Sequence, residues 1–206
     1  MSRDISSHFV LEWVHWWRDN WRHQRHCSWP LPPELQSTTL YHLFSELNLR
    51  KQIDSFFGVE PVITPYPLAG FATLIKSDVQ QWHQLFQLSF SVCSGHLMPR
   101  NSFLSASDEQ WCRRVAKGLK PGLWIPSSVM LPDPGIMGIL LLRSWTGVTV
   151  WSRMRFCLAK REVEEAEQLI TEKIPSKPLS ALWQAVIAHL DITASRENRY
   201  VNSVQN

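Results

Sequence analysis

The sequence predicts a mainly α protein, an irregular helical domain of about seven helices with Pro-rich connectors. Three observations predict it. Apolar residues recur at spacings of three and four in one segment after another. Prolines cluster between those segments, at residues 30–33, 61–67 and 121–134. Strand-like alternation is rare. VTVW (148–151) and RMRFCLA (153–159) are the two pieces that could pair as a minor β element.

The elements follow in order. Residues 8–26 read as a helix, because Val10, Trp13, Val14, Trp17 and Trp21 form one apolar stripe with Arg18, Arg22 and Arg25 beside it. CSWPLPP ends it, since three prolines in four positions forbid a helix. Residues 34–57 resume the helical period, and GVEPVITPYPLAG is a connector. Ser77 with Gln80 suggests a capping box for a helix with Trp82, Leu85, Phe86 and Val92 on its apolar face, ended by Gly95. LMPRNSFL is a short apolar piece. Ser107 with Gln110 suggests a second box, for a helix that stops at Gly118. Residues 135–155 are apolar and mostly helical, interrupted at TGVTV. Helices over 161–173 and 179–190 close the fold, and the chain from Thr193 reads as a frayed polar tail.

This divides the chain into an N-terminal helical lobe (1–58), a helical core domain (59–192) and the tail (193–206), or leaves one domain throughout. With 206 residues, 44% hydrophobic and 19% charged, the chain can bury a substantial core. Eleven tryptophans are the outlier, and tryptophan is enriched at protein interfaces.

Several function classes lose ground at once. A net charge of +3 is weak for a dedicated nucleic-acid binder. The start, MSRDISSHF, has no signal-like apolar run, and the longest apolar run, 136–142, falls far short of a bilayer span. The chain is therefore expected in the cytoplasm without a membrane span. Cys27, Cys93, Cys112 and Cys157 show no short spacing and are expected to be reduced and mostly buried. No GxSxG, phosphate-binding glycine loop or HExxH is present, so no enzyme and no cofactor are expected. His23, His26 and Cys27 are the one metal-like cluster, with both histidines on a helix. A further ligand group is missing, so no metal is expected.

FVLEWVHWWRDNWRHQRHC (9–27) then concentrates the functional question. Trp13, Trp17 and Trp21, with Trp82, Trp145 and Trp151, are the core candidates. Trp16 lies off the stripe and, with Arg18, Arg22 and Arg25, is a partner-binding candidate. The main alternative is a nucleic-acid-binding helical protein that stacks bases on this Trp/Arg helix, and a membrane-surface helix is another. The acidic run of Glu162, Glu164, Glu165, Glu167 and Glu172 reads as a solvated helix face, and with the Arg-rich N-terminus it gives a bipolar molecule suited to an adaptor.

Two stretches carry a resemblance. Residues 67–118, with Leu74–Gly95 followed by Ser107–Gly118, resemble the central region of the type III secretion sorting-platform accessory proteins, the SctK family. GIMGILLLRSWTGVTVWSRMRFCLAKR is similar to that family's C-terminal signature, with Gly135, Trp145, Trp151, Arg153 and Arg155 at the matching positions. The N-terminus departs from the family's pattern. The resemblance implies a non-enzymatic virulence-associated adaptor of protein transport, peripheral to the inner face of the inner membrane. Its implied partners are an SctQ-type pod protein and the cytoplasmic domain of the SctD-type inner-membrane ring protein, and indirectly the stator and ATPase.

Overall fold

The computed structural model describes residues 7–35, 47–94, 103–169 and 172–204, with residues 7, 34, 47–49 and 193–204 as backbone alone. The fold is mainly helical, with eight α-helices and no strand among the described residues. They are α1 (Ser7–Arg18), α2 (Leu47–Phe56), α3 (Phe71–Leu74), α4 (Val79–Ser94), α5 (Ala106–Leu119), α6 (Pro134–Met154), α7 (Lys160–Gln168) and α8 (Ser176–Val204). Among these residues no helix is long and apolar enough to cross a membrane.

α4 is the hub and packs against α5, α6 and α8. Its composition explains this. Every residue from Leu85 to Phe90 is buried, so the helix is wrapped on all sides rather than lying amphipathic on a surface. α6 crosses it at Gly138, where a Cβ would stand 2.4 Å from the Phe86 ring. Only glycine lets the two helices approach this closely. One hydrophobic core runs from Phe9 to Leu190, and a small satellite of Leu31, Leu35 and Ile53 joins it through Phe57.

Several sequence expectations need correction. The first helix ends at Arg18 and gives way to a 3₁₀ turn over Asn20–Arg22, so His23 and His26 are not on a helix. The interruption at TGVTV is a kink within α6, with Gly147 at φ 72°. The pieces expected to pair as strands continue as helix and a 3₁₀ turn at Arg155–Cys157. Among the described residues no strand stands beside them, and Val150, Trp151 and Met154 bury themselves at helical spacing instead. Both capping boxes are displaced. Asp78 and Gln81 form a reciprocal pair at the start of α4, with Gln81 N–H donating to Asp78 Oδ1 at 2.8 Å and the Gln81 Oε1 accepting from Asp78 N–H at 3.0 Å. Ser105 caps α5 by accepting from Asp108 N–H at 3.1 Å. α8 continues through the expected tail to Val204. Residues 36–46, Gly95 and most of LMPRNSFL lie outside the described residues.

Candidate docking surfaces and cavity

Residues 9–29 form an aromatic lock rather than an open face. Trp13 stacks on Trp16 with ring centroids 5.2 Å apart, and Phe71 closes on Trp13 at 5.0 Å. Trp21 packs on Phe156 at 5.2 Å. Trp13, Trp17, Trp21, Trp82, Trp145 and Trp151 are all buried. Trp16 is buried too, at 1% exposure, which corrects its expected availability to a partner. The chain turns back after Asn20, and Gln24 accepts the Trp16 indole N–H at 2.7 Å.

The arginines divide. Arg18 is exposed. Arg22 is only 5% exposed and belongs to the core, a second correction. It pairs with Asp54 of α2, donates to the Arg18 carbonyl and lies over the Trp21 ring at 4.8 Å. Arg25 is half-buried and donates to the Arg22 carbonyl at 2.6 Å and to the Trp29 carbonyl. Two of the three arginines expected to face a partner are thus spent on fixing this segment's own turns.

The far end of the segment is tied to the C-terminal half. Trp29 Nε1–H donates to the Leu158 carbonyl at 2.8 Å, His26 N–H to the Phe156 carbonyl at 2.8 Å, and Lys160 N–H to Ser28 Oγ at 2.8 Å. Arg155 pairs with Glu167 at 2.8 Å, and Trp151 Nε1–H donates to the same carboxylate at 2.7 Å. Trp145 stacks on Trp183 at 5.8 Å and donates to Ser180 Oγ at 3.1 Å.

The lock also holds the Pro-rich connector, residues 59–68. Trp13 Nε1–H donates to the Pro65 carbonyl at 2.7 Å, and Trp17 Nε1–H to the Val62 carbonyl at 3.3 Å. Arg153 lies over Trp17 at 4.0 Å and donates to the Glu60 carbonyl at 3.0 Å. Burial holds the Arg153 guanidinium below its usual pKa. Each residue before a proline, Glu60, Thr64 and Tyr66, is confined to extended backbone. The result is a clamped strap that turns apolar side chains to solvent, Ile63 at 92% and Tyr66 at 75% exposure, with Val62 also exposed. Periodicity did not find this surface, because the strap has no period. The signal available was three prolines interleaved with Val62, Ile63 and Tyr66.

A cavity of about 340 Å³ opens where four distant segments meet. Its walls are Trp82, Phe86 and Leu158, and its polar groups include Asp133, Glu162, His26 and His83. Burial, followed by the nearby Asp133, raises the Glu162 carboxyl above its usual range.

Elsewhere, Cys93 and Cys112 are buried. Burial pushes the Cys112 thiol to about 11 and Cys93 still higher. Cys157 is pushed to about 12 by burial. Cys27 is exposed, against the expectation of a buried thiol. His189 of α8 stacks on Trp111 at 4.1 Å and meets Asp108 of α5 at 2.7 Å. Among the described residues no group of three or more His, Cys, Asp or Glu is arranged to hold a metal ion.

No protein-family model matches this sequence, no curated protein matches it, and no solved structure matches its fold.

Proposed function

We propose that this chain is a non-enzymatic helical adaptor that presents the 59–68 strap to a partner protein. The observation that carries the reading is the strap itself. It is fixed by three donors from the core while Ile63 and Tyr66 stand in solvent. A pre-ordered apolar segment binds with little further ordering cost, and exposed apolar residues on a rigid frame mark interaction sites. The rival reading, base stacking by the N-terminal tryptophans, needs exposed rings, and Trp13, Trp16, Trp17 and Trp21 are buried.

The resemblance to the SctK family supplies the proposed setting. There the adaptor sits in the cytoplasm against the inner face of the inner membrane. It links the SctD-type ring protein to the SctQ-type pod, and so to the stator and ATPase, for platform assembly and effector export. Of the residues that carry the resemblance, Arg153 clamps the strap, which connects the sequence signature to the presented surface.

The test is a double substitution, Ile63→Asp with Tyr66→Asp, in the full chain. Both side chains are exposed, so circular dichroism and melting temperature should stay unchanged. Co-purification of the SctQ-type or the SctD-type protein from a secretion-competent cell should fall at least about tenfold, since each anchor contributes roughly 1–2 kcal/mol. Effector export should fail. Undiminished recovery of both proteins with normal export would overturn the strap's role. Failure of the wild-type chain to recover either one would overturn the secretion setting.

A further inference from the structure

We propose that the 59–68 strap is a polyproline II segment, read by its partner through an aromatic-lined groove with a cation at one end. This rests on the strap as the presented surface and names what fits it. The observation that carries it is a repeat of three. The Val62 and Pro65 carbonyls accept from Trp17 and Trp13, which stand one turn apart on α1, and the Leu68 carbonyl accepts from Phe71 N–H at 3.2 Å. The side chains follow the same period. Glu60, Ile63 and Tyr66 are exposed, whereas Thr64 is half-buried and Pro67 is buried. A β-strand repeats every two residues and would turn the 62 and 65 carbonyls to opposite sides. Polyproline II repeats every three and makes no internal hydrogen bonds. Among the described residues no main-chain hydrogen bond begins and ends within 59–68.

The same residues exclude an added strand as the partner. Along the edge of 61, 63, 65 and 67 the residues other than Ile63 are prolines, so Ile63 alone has an N–H to donate. Along the other edge the Glu60 and Val62 carbonyls are already taken by Arg153 and Trp17. Sheet extension needs donors and acceptors in alternation, and neither edge offers them. The strap offers a ridge of side chains instead. Polyproline II rises about 3.1 Å per residue, so Glu60, Ile63 and Tyr66 stand about 9 Å apart along that ridge.

The ridge defines its complement. Ile63 and Tyr66 on a preformed polyproline II backbone suit a shallow groove lined by aromatic rings, the receptor type for such segments. Glu60 adds the one charge of the ridge. It makes no ion pair among the described residues, so charge complementarity puts an Arg or Lys of the partner at that end of the groove. The order along the strap is therefore acid, branched aliphatic, phenol, and the groove reads it as cation, ring, ring.

The experiment places the photo-cross-linker p-benzoylphenylalanine at position 63 or 66 of the full chain, in the cell that makes it, with position 110 on the outer face of α5 as control. Cross-links are mapped by mass spectrometry. Positions 63 and 66 should each reach one partner protein beside its aromatic residues, and position 110 should not. Binding of that purified partner should then follow the period. Ile63→Ala should weaken it about tenfold, and Val62→Ala, off the ridge, by less than about twofold. Glu60→Lys should weaken it at least about tenfold. All three side chains are exposed, so melting temperatures should stay unchanged. Cross-links from 63 and 66 to lipid, or to no molecule, overturn both the groove and the strap's role. Cross-links to a protein strand edge, equal losses for Val62→Ala and Ile63→Ala, or no loss for Glu60→Lys overturn the groove and leave the adaptor reading standing. The expected pattern on a protein of neither SctQ nor SctD type supports the groove and overturns the secretion setting alone.

Discussion

Beside Trp21, Arg22 is buried with Asp54 against it. Beside Trp82, Asp133 and Glu162 line a cavity, both exposed and neither in an ion pair among the described residues. Both places mix charges with aromatic rings, and the difference lies in who completes the charge. Arg22 is completed by the protein's own α2, so it is a structural joint. Glu162 is exposed and is completed by no ion pair among the described residues. A residue type on an aromatic background says little about role until its partner is known, and that partner is set by tertiary contact.

The comparison is most sharply broken at Arg22. Arg22→Ala strands Asp54 beside a buried ring cluster and should cost about 3–5 kcal/mol. Urea unfolding should show a midpoint shift large enough to threaten the fold. A loss below about 1 kcal/mol would mean that the pair is solvated and the joint unimportant.

Asp108 comes next, as a second internally completed charge. The His189 and Ser105 contacts outweigh burial and hold its carboxyl below the usual range. A lowered carboxylate contributes stability that is present above its unfolded pKa, near about 3.9, and is lost as pH falls through the lower folded value. Asp108→Asn should therefore lower stability at pH 7 by about 1–2 kcal/mol and flatten the acid limb of the melting curve. An acid limb unchanged from wild type would remove Asp108 from the account.

Glu162 should behave with the opposite sign. Its folded pKa is raised, so ionisation penalises folding, and the penalty grows as pH rises through the carboxylate range. Glu162→Gln should raise the melting temperature slightly at pH 7 and leave it unchanged at pH 3. A fall at pH 7 would show that the fold stabilises the Glu162 carboxylate instead of penalising it.

Arg18 gives the smallest effect. It is exposed, and Arg18→Glu should change stability by less than about 0.5 kcal/mol. Because Arg22 is buried, a triple change of Arg18, Arg22 and Arg25 to Glu tests folding rather than docking. Thermal melts of the single variants separate the two contributions.

The sequence by itself determined the helical class and the burial of most tryptophans. Spacings of three and four put Trp13, Trp17 and Trp21 on one stripe, and proline clusters marked the joints, because both signals act within a few residues of chain. Even there, degenerate local signals misplaced detail. Ser77 stands next to Asp78, and Ser107 lies two residues from Ser105, so local sequence offers either as a cap; the caps formed are Asp78 and Ser105. Tertiary structure alone decided the rest. Trp16 is off the stripe yet buried, because periodicity describes one face of a helix whereas Gln24 and Trp13 cover another. Arg22 finds Asp54 thirty-two residues away. The cavity draws on His26, Trp82, Gly135 and Glu162, whose proximity no local pattern encodes, since it depends on how α4, α6 and α7 cross.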